Sequence, residues 1–296
     1  MAGANLRDIK RRIRSVKSTE QITRAMKMVA AARLRRAQEN VLAARPWAER
    51  LDRLARGLAL RAKGGRHPLL QEKEGAGPVL LLVVGSDRGL CGAFNANINR
   101  AVVAYLAGLN GAGPDLGQLL IVGRKPIEFF QRRAYPILNQ YTELFAHLRY
   151  ESAKKIGDEA IQAYVEGEVS RVVLVYNEFK SALQQQLVTR ELIPVRHDEE
   201  AEEVLPPELV VDYLYEPDPT TLLDQALHRH VHTQVWRALL ESQASEHGAR
   251  MTAMDAATEN AVEMIADLTL QYNRARQAGI TTEIIEVVSG AEALRG

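Results

Sequence analysis

The chain has 296 residues, a formal net charge of +1 and a single cysteine, Cys91. Its length and ordinary hydrophobic content suggest one or two soluble domains, and one cysteine excludes an intramolecular disulfide. No apolar run reaches the roughly 18 residues that span a bilayer, and the N-terminus lacks the apolar stretch of a signal peptide. The charge is segregated, because residues 1–66 hold 18 basic and 5 acidic residues whereas the rest hold 20 and 32. This segregation indicates a partner surface of opposite charge.

The first predicted element is a helix from residue 3 to about residue 62, ending at Gly64-Gly65. It would be on the order of 85 Å long, too long for one compact domain to bury. Its apolar residues follow the spacing of a coiled-coil seam, which a polar stretch at 17–21 interrupts before the stripe resumes. The predicted seam residues are Leu6, Ile9, Ile13, Val16, Ile22, Met26, Val29, Leu34, Ala37, Val41 and Ala44.

The middle of the chain changes to the pattern of a doubly wound α/β sheet. The predicted strands lie at 78–84, 119–122, 172–176, 186–193 and 208–213. The predicted helices lie at 93–109, 127–133 and 148–165. We interpret the acidic run at 198–203 as a solvated loop. This domain is inserted between two long helices.

A glycine-rich turn, residues 85–92, joins the first predicted strand to the next helix. This position cradles phosphate in many α/β folds. The turn matches neither G-x-x-x-x-G-K-[ST] nor G-x-G-x-x-G. We therefore interpret it as a tight strand-to-helix connection with an Asp87–Arg88 pair.

Three histidines, His228, His230 and His232, alternate along the last helix. His228 and His232 would share a face, so a divalent metal is conceivable, but the H-E-x-x-H spacing is absent and we expect a solvent-facing surface. Ser242 and Ser245 lie outside a G-x-S-x-G context. The sequence therefore predicts no catalytic residue, no metal site and no cofactor.

The last predicted element is a second helix, from Asp218-Pro219 to about residue 289, on the order of 105 Å long. Asp218 would cap it and Pro219 suits the first helical position. Its predicted seam residues are Met251, Met254, Ala257, Ala261, Met264, Leu268, Gln271, Ala275, Ile280, Ile284 and Val288. Because the chain leaves the first helix, builds a domain and returns, the two helices should form an antiparallel coiled coil.

The predicted fold class is therefore α/β, with a long antiparallel coiled coil of the N- and C-terminal helices and an inserted Rossmann-like α/β domain. We expect domain boundaries at 1–66, 67–218 and 219–296. Ile280, Ile284, Ile285 and Val288 should extend beyond the start of the first helix and be exposed.

Several stretches resemble the γ subunits of bacterial F-type ATP synthases. They are Leu6–Lys17, Glu20–Ala32, Gly85–Asn95, Asp212–Pro217, Ala244–Met251, Tyr272–Gln277 and Glu286–Ala291. The resemblance covers essentially the whole chain. It departs at Gly248 and Gly279, where helix formers are more usual, and the two-cysteine insertion of the plastid form is absent.

The resemblance implies a non-catalytic rotor shaft, one copy per complex, that turns inside a ring of three α and three β subunits. Such a shaft couples proton flow through the c-ring to ATP synthesis on β, whose acidic lever loop would face the basic first helix. The implied contacts with α and β are Arg24, Met26, Lys27, Arg33, Arg250, Gln277, Thr281 and Glu283. The implied contacts with ε and the c-ring are Tyr213, Tyr215 and Glu216. The implied location is peripheral, on the cytoplasmic side of the bacterial inner membrane, without bilayer insertion.

Two other interpretations explain part of the pattern. A nucleic-acid-binding coiled coil would explain the basic first helix, although Trp47 is the only aromatic residue among the first 66. A nucleotide-binding enzyme built on residues 78–213 would explain the glycine-rich turn. Salt-dependent DNA retention would favour the first alternative, and saturable ATP binding by the middle domain would favour the second.

Overall fold

The computed structural model describes residues 2–61, 67–73, 77–109, 117–195 and 218–293. Its elements are α1 (Ala2–Arg61), β1 (Val79–Val84), α2 (Phe94–Gly108), β2 (Gly117–Val122), α3 (Arg124–Gln131), β3 (Ile137–Tyr141), α4 (Tyr150–Val165), β4 (Arg171–Phe179), β5 (Gln185–Ile193) and α5 (Pro219–Ala293), with 3-10 turns at Pro68–Leu70 and Leu144–Ala146. The predicted strand at 208–213, the acidic run at 198–203 and the predicted helix end at Gly64-Gly65 lie outside the described residues.

The chain divides into two compact units. The helical unit comprises residues 1–31 and 250–296, and the sheet unit comprises residues 32–249. The helices α1 and α5, of 60 and 75 residues, contribute to both units. The two long terminal helices and the inserted sheet confirm the predicted fold class, whereas the domain boundaries at residues 66 and 218 stay a prediction.

The sheet has five strands in the order β3-β2-β1-β4-β5. The first four strands are parallel, and β5 pairs antiparallel with β4. Every residue of β1 is buried, as expected for a central strand covered by helices on both faces. The short strand β3 was not predicted, because its alternating half-buried and exposed residues at a sheet edge lack the apolar run that marks the inner strands.

Successive residues of a strand point to opposite faces, so β1 contributes to two separate cores. Leu80 and Leu82 pack with α4, α5 and the end of α1. Leu81 and Val83 pack with α2 and α3 on the other face. The α5 residues that cover the first face include Leu227 and Val235, which are fully buried. This packing explains why this part of α5 carries apolar side chains over a broad surface.

Asp218 caps α5 as predicted. Its carboxylate accepts hydrogen bonds from the N–H groups of Thr220 and Thr221, at 3.0 and 2.9 Å. The bonds from Thr221, first from its backbone and then from its side chain, lower the pKa of Asp218. The first turn of the helix therefore begins where the sequence indicates.

In the helical unit α1 and α5 are antiparallel. Thr23 lies against Thr258, with their hydroxyls 2.7 Å apart, and Lys27 Nζ lies 2.5 Å from Asp255 Oδ1. The buried seam residues on α5 are Met254, Thr258, Ala261 and Leu268. Their spacing of four, three and seven is that of a heptad seam.

The predicted phase of the seam is wrong in part. Ile22 and Val29 are 57% and 52% exposed, whereas Thr23 and Ala30 are buried. The polar stretch at 17–21 does not interrupt the seam, because its half-buried Glu20 lies four residues after Val16 and three before Thr23. Thr23 fills its seam position by accepting a hydrogen bond from Thr258. On α5, Met264 is likewise exposed and Gln271 is exposed, whereas Met254, Ala261 and Leu268 are buried as predicted.

Gly248 lies where the tip of the β4–β5 hairpin approaches α5. A Cβ atom there would be 3.2 Å from the carbonyl oxygen of Ala182. The glycine therefore allows this close approach, and α5 stays helical through it.

Candidate functional site

The glycine-rich turn is occupied by contacts within the sheet unit. A Cβ atom on Gly85 would lie 2.6 Å from Pro126 Cγ, so only glycine fits between β1 and α3. Asp87 accepts hydrogen bonds from the N–H groups of Arg124 and Glu143, both at 3.1 Å, and its pairing with Arg88 stays a prediction. The turn leads from β1 into α2 and packs against the start of α3, which supports its interpretation as a structural connection.

The expectation that the histidine run faces solvent is wrong for two of its members. His230 and His232 are each only 5% exposed. His232 Nε2 lies 2.6 Å from Asp158 Oδ1, and its ring packs on α4, where a Cβ atom on Gly157 would be 2.7 Å from it. Burial lowers the pKa of His232, although the hydrogen bond to Asp158 acts in the opposite direction. The rings of His230 and His232 are therefore buried between helices of the sheet unit.

The two serines of α5 also have structural partners. Ser242 donates to the carbonyl of Val84 at 3.2 Å, and Ser245 donates to the carbonyl of Asn177 at 3.1 Å. Within the described ranges, no group of three or more His, Cys, Asp and Glu side chains could hold a metal ion. The same residues include no helix long and apolar enough to cross a membrane.

The predicted contacts on α1 in the helical unit differ in accessibility. The Arg24 side chain is exposed and lies 2.5 Å from Glu20. Lys27 is partly exposed and bound to Asp255 on α5, and Met26 beside it is half-buried. The structure thus places Met26, Lys27 and Asp255 close together on the helix pair. The sequence pattern did not indicate that Asp255 belongs to this group.

The predicted contacts on α5 in the same unit are also of two kinds. Gln277, Thr281 and Glu283 are all exposed, and the Thr281 hydroxyl donates to the Gln277 carbonyl at 3.0 Å. Arg250 is only 8% exposed, so little of its side chain can reach a partner. Tyr213, Tyr215 and Glu216 lie outside the described residues.

Arg33, the remaining predicted contact, lines a cavity of about 710 Å³ in the sheet unit. The cavity residues are Arg33, Arg36, Ala37, Asn40, Asp87, Arg88, Arg124, Glu143, Phe145, Ala146, Gln243, Glu246 and His247. Arg124 pairs with Glu143 at 2.8 Å. The sequence indicated the basic character of α1, but only the fold shows that arginines from α1, α3 and the glycine-rich turn converge.

The end of α5 carries exposed apolar side chains. Continuing the pairing of Thr23 with Thr258 to the first described residue of α1, Ala2, reaches Gly279. The exposed residues that follow are Ile280, Ile284, Ile285, Val287 and Val288. Within the part of the chain that the structure describes, the predicted seam positions in this segment therefore lie beyond the first residue of α1.

Comparisons with known proteins agree with this architecture. The family model described as ATP synthase matches residues 5–294. The ATP synthase gamma chain of Geobacter metallireducens is 49% identical over 293 residues, covering 99% of this chain and 100% of that protein.

Two solved structures are also similar. One shows the central stalk and c-ring of the Tetrahymena thermophila mitochondrial ATP synthase, with 26% identity, a TM-score of 0.58 and coverage of 80% of this chain and 99% of that one. The other, from the Euglena gracilis mitochondrial ATP synthase, has 19% identity, a TM-score of 0.67 and coverage of 99% and 95%, and shows the fold alone. The full-length match to relatives of nearly half-identical sequence places this chain in the family of ATP synthase gamma chains.

Proposed function

We propose that the chain is the central rotor subunit of an F-type ATP synthase and couples ion flow through a c-ring to ATP synthesis on the β subunits. It is a non-catalytic subunit of that complex. Membership of the gamma chain family carries this conclusion. The antiparallel pair of long helices, with a sheet inserted between them in the sequence, fits a part that transmits rotation.

The surface of the helical unit is suited to contacts that change as the rotor turns. We propose that Arg24, Met26 and Lys27 on α1 meet the surrounding α and β subunits, together with Gln277, Thr281 and Glu283 on α5. Exposed ion pairs are worth roughly 0–1 kcal/mol each. Contacts of this strength can break and reform at each step without trapping the rotor in one orientation.

The cavity of the sheet unit offers a second contact. Arg33 and Arg36 project from α1 at its edge, and guanidinium groups bind carboxylates in a bidentate geometry. We propose that an acidic segment of a β subunit contacts these arginines. Arg250 is a weaker candidate because of its burial.

The exposed apolar end of α5 is proposed as a bearing surface in the ring of α and β subunits, since exposed apolar clusters mark interaction sites. Deleting the residues after Ile280 should weaken assembly and torque while the sheet unit stays folded. Assembly and rotation under load equal to those of the parent would contradict the bearing role.

The remaining partners rest on the family resemblance. We propose that Tyr213, Tyr215 and Glu216 contact ε and the c-ring, and that the complex holds this chain at the cytoplasmic side of the bacterial inner membrane. Alanine at each of these positions should weaken retention of ε and the c-ring without affecting binding to α and β.

The direct test is co-expression with α and β subunits. The chain should co-purify in a fixed ratio of one to three α and three β, and the complex should hydrolyse ATP. The isolated chain should not hydrolyse ATP, and it should not be retained on DNA at moderate salt. Failure to co-purify, or hydrolysis by the chain alone that its own mutations abolish, would contradict the proposal.

A further inference from the structure

A fully buried carboxylate joins three elements of the sheet unit. Glu241 on α5 has a 0% exposed side chain. Its two oxygens accept hydrogen bonds from Nε and Nη2 of Arg45 on α1, at 2.8 and 2.9 Å. Phe179, the last residue of β4, donates its N–H to Glu241 at 3.0 Å and accepts from Arg45 through its carbonyl at 2.8 Å. We name Arg45, Glu241 and the backbone of Phe179 the buried junction.

The adjacent turn of α5 makes further hydrogen bonds to the carboxyl ends of the strands β1 and β4. Ser242 and Ser245 donate to carbonyls of β1 and β4, and both serines are buried. Arg237, one turn earlier, lies 3.1 Å from Glu178 and 3.7 Å from Glu241. Directional bonds between α5 and the sheet are therefore concentrated within a few residues around the buried junction.

Burying an ion pair is not an efficient way to stabilise a fold, because desolvation offsets the attraction and apolar residues of similar volume often do as well. Elsewhere on this face the helices meet the sheet through apolar side chains such as Leu227 and Val235. Apolar contacts are non-directional, whereas a bidentate guanidinium–carboxylate pair fixes both distance and angle. The buried junction therefore fixes the orientation of α1 and α5 about their own axes relative to β4.

We propose that the buried junction is the point at which torque passes between the sheet and the two long helices, with Arg45 and Glu241 as positioning residues. The proposal rests on the proposed rotor function. Rotation of the sheet relative to α1 and α5 would have to stretch or bend these hydrogen bonds. Torque is therefore transmitted through them, and the helices do not turn independently of the sheet. The elements involved all belong to the sheet unit.

The test uses the whole complex with two variants. Arg45→Lys keeps the charge but loses the bidentate guanidinium geometry, and Glu241→Gln keeps the shape but loses the charge. Arg35→Lys and Glu39→Gln are the matched controls, because this pair lies exposed on α1 at 3.6 Å. ATP synthesis at a limiting ion gradient should fall about fivefold in the junction variants, the factor for roughly one lost hydrogen bond. Hydrolysis without a gradient should change less than about twofold, and the controls should match the parent.

A third variant distinguishes a loss of torque transmission from a loss of folding. Arg45→Met combined with Glu241→Met removes both charges and keeps most of the volume, so the complex should assemble yet show the same selective loss of synthesis. Synthesis equal to that of the parent, or an equal fall in synthesis and hydrolysis, would overturn the proposal. A parent chain that supports no synthesis would instead contradict the rotor function itself.

Discussion

The two compact units hold the same pair of helices by different chemistry. In the helical unit the polar contacts between α1 and α5 include the partly exposed pair Lys27–Asp255 and the two hydroxyls of Thr23 and Thr258. In the sheet unit, α5 is bound through the fully buried Glu241. In the rotor that we propose, the accessible pair Lys27–Asp255 can break and reform with a partner. The contacts that fix the helices to the sheet are instead buried and directional.

The largest expected effect comes from breaking the buried contact. Glu241→Ala should lower the free energy of unfolding by about 3 kcal/mol, the lower end for removing one partner of a buried ion pair. Arg45 would lose its carboxylate partner, and the N–H of Phe179 would lose its acceptor. Urea unfolding of the full chain measures it. Glu39→Ala, which removes an exposed pair on α1, should stay within about 0.5 kcal/mol. Equal losses for the two variants would remove the proposed difference between the buried and exposed contacts.

A smaller loss is expected in the seam of the helical unit. Thr258→Val should cost about 1 kcal/mol, the net value of one hydrogen bond, because Thr23 still bonds to the Glu20 carbonyl at 3.1 Å. The double variant Thr23→Val with Thr258→Val should cost less than the sum of the single changes. A double-mutant cycle by thermal unfolding measures this, and strict additivity would show that the hydroxyls do not interact.

Met26→Lys tests whether the accessible face transmits torque. The added ammonium lies beside Lys27 and would compete for Asp255 or pair with an acidic partner segment, at roughly 0–1 kcal/mol per exposed pair. We expect ATP hydrolysis to be kept in part and ion pumping to fall more. A second change that removes positive charge nearby, or weakens contacts at 277–283, should restore some pumping. The ratio of pumping to hydrolysis in membranes measures this, with Met28→Lys, on an exposed face of α1, as the matched control.

An unchanged ratio for Met26→Lys would show that charge on this surface does not transmit torque. An equal fall for Met28→Lys would show that added charge anywhere on α1 has this effect.

The smallest effect is a dependence of stability on pH in the sheet unit. Burial holds the pKa of His232 below its ordinary value, so the unfolded chain takes up this proton first. The contribution of His232 is therefore complete above its unfolded pKa and is lost as pH falls towards the lower folded value. His232→Gln should flatten the fall of Tm with decreasing pH. The more exposed His228→Gln is the control, and identical slopes for both variants and the parent would contradict the assignment.

Local patterns predict the parts of the fold that local chemistry determines. The apolar runs indicated β1, β2 and β4, alternation indicated β5, and Asp218-Pro219 marked the start of α5. The strand β3 has no such run and pairs only at an edge. The seam phase was misplaced because a threonine pair, 235 residues apart in sequence, replaces the apolar residues that the periodicity requires.

Long-range pairing also limits what could be predicted about the functional surfaces. The basic character of α1 pointed to partner contacts, but Asp255 as the partner of Lys27 and the burial of Arg250 depend on how α5 packs. The pairing of Arg45 with Glu241 joins residues 196 apart, and neither residue lies in a motif. His230 and His232 were expected on a polar face because their neighbours in sequence do not reveal the sheet and helices that cover them.

Direct observation of rotation tests the central claim. Cys91 is buried, so Leu183→Cys, at an exposed position in the β4–β5 hairpin, would supply the accessible thiol for a probe. In a surface-bound complex with α and β, the account predicts that the probe turns in one direction when ATP is added and stops when ATP is removed. A complex that hydrolyses ATP at full rate while a probe firmly attached to this chain stays still would contradict it.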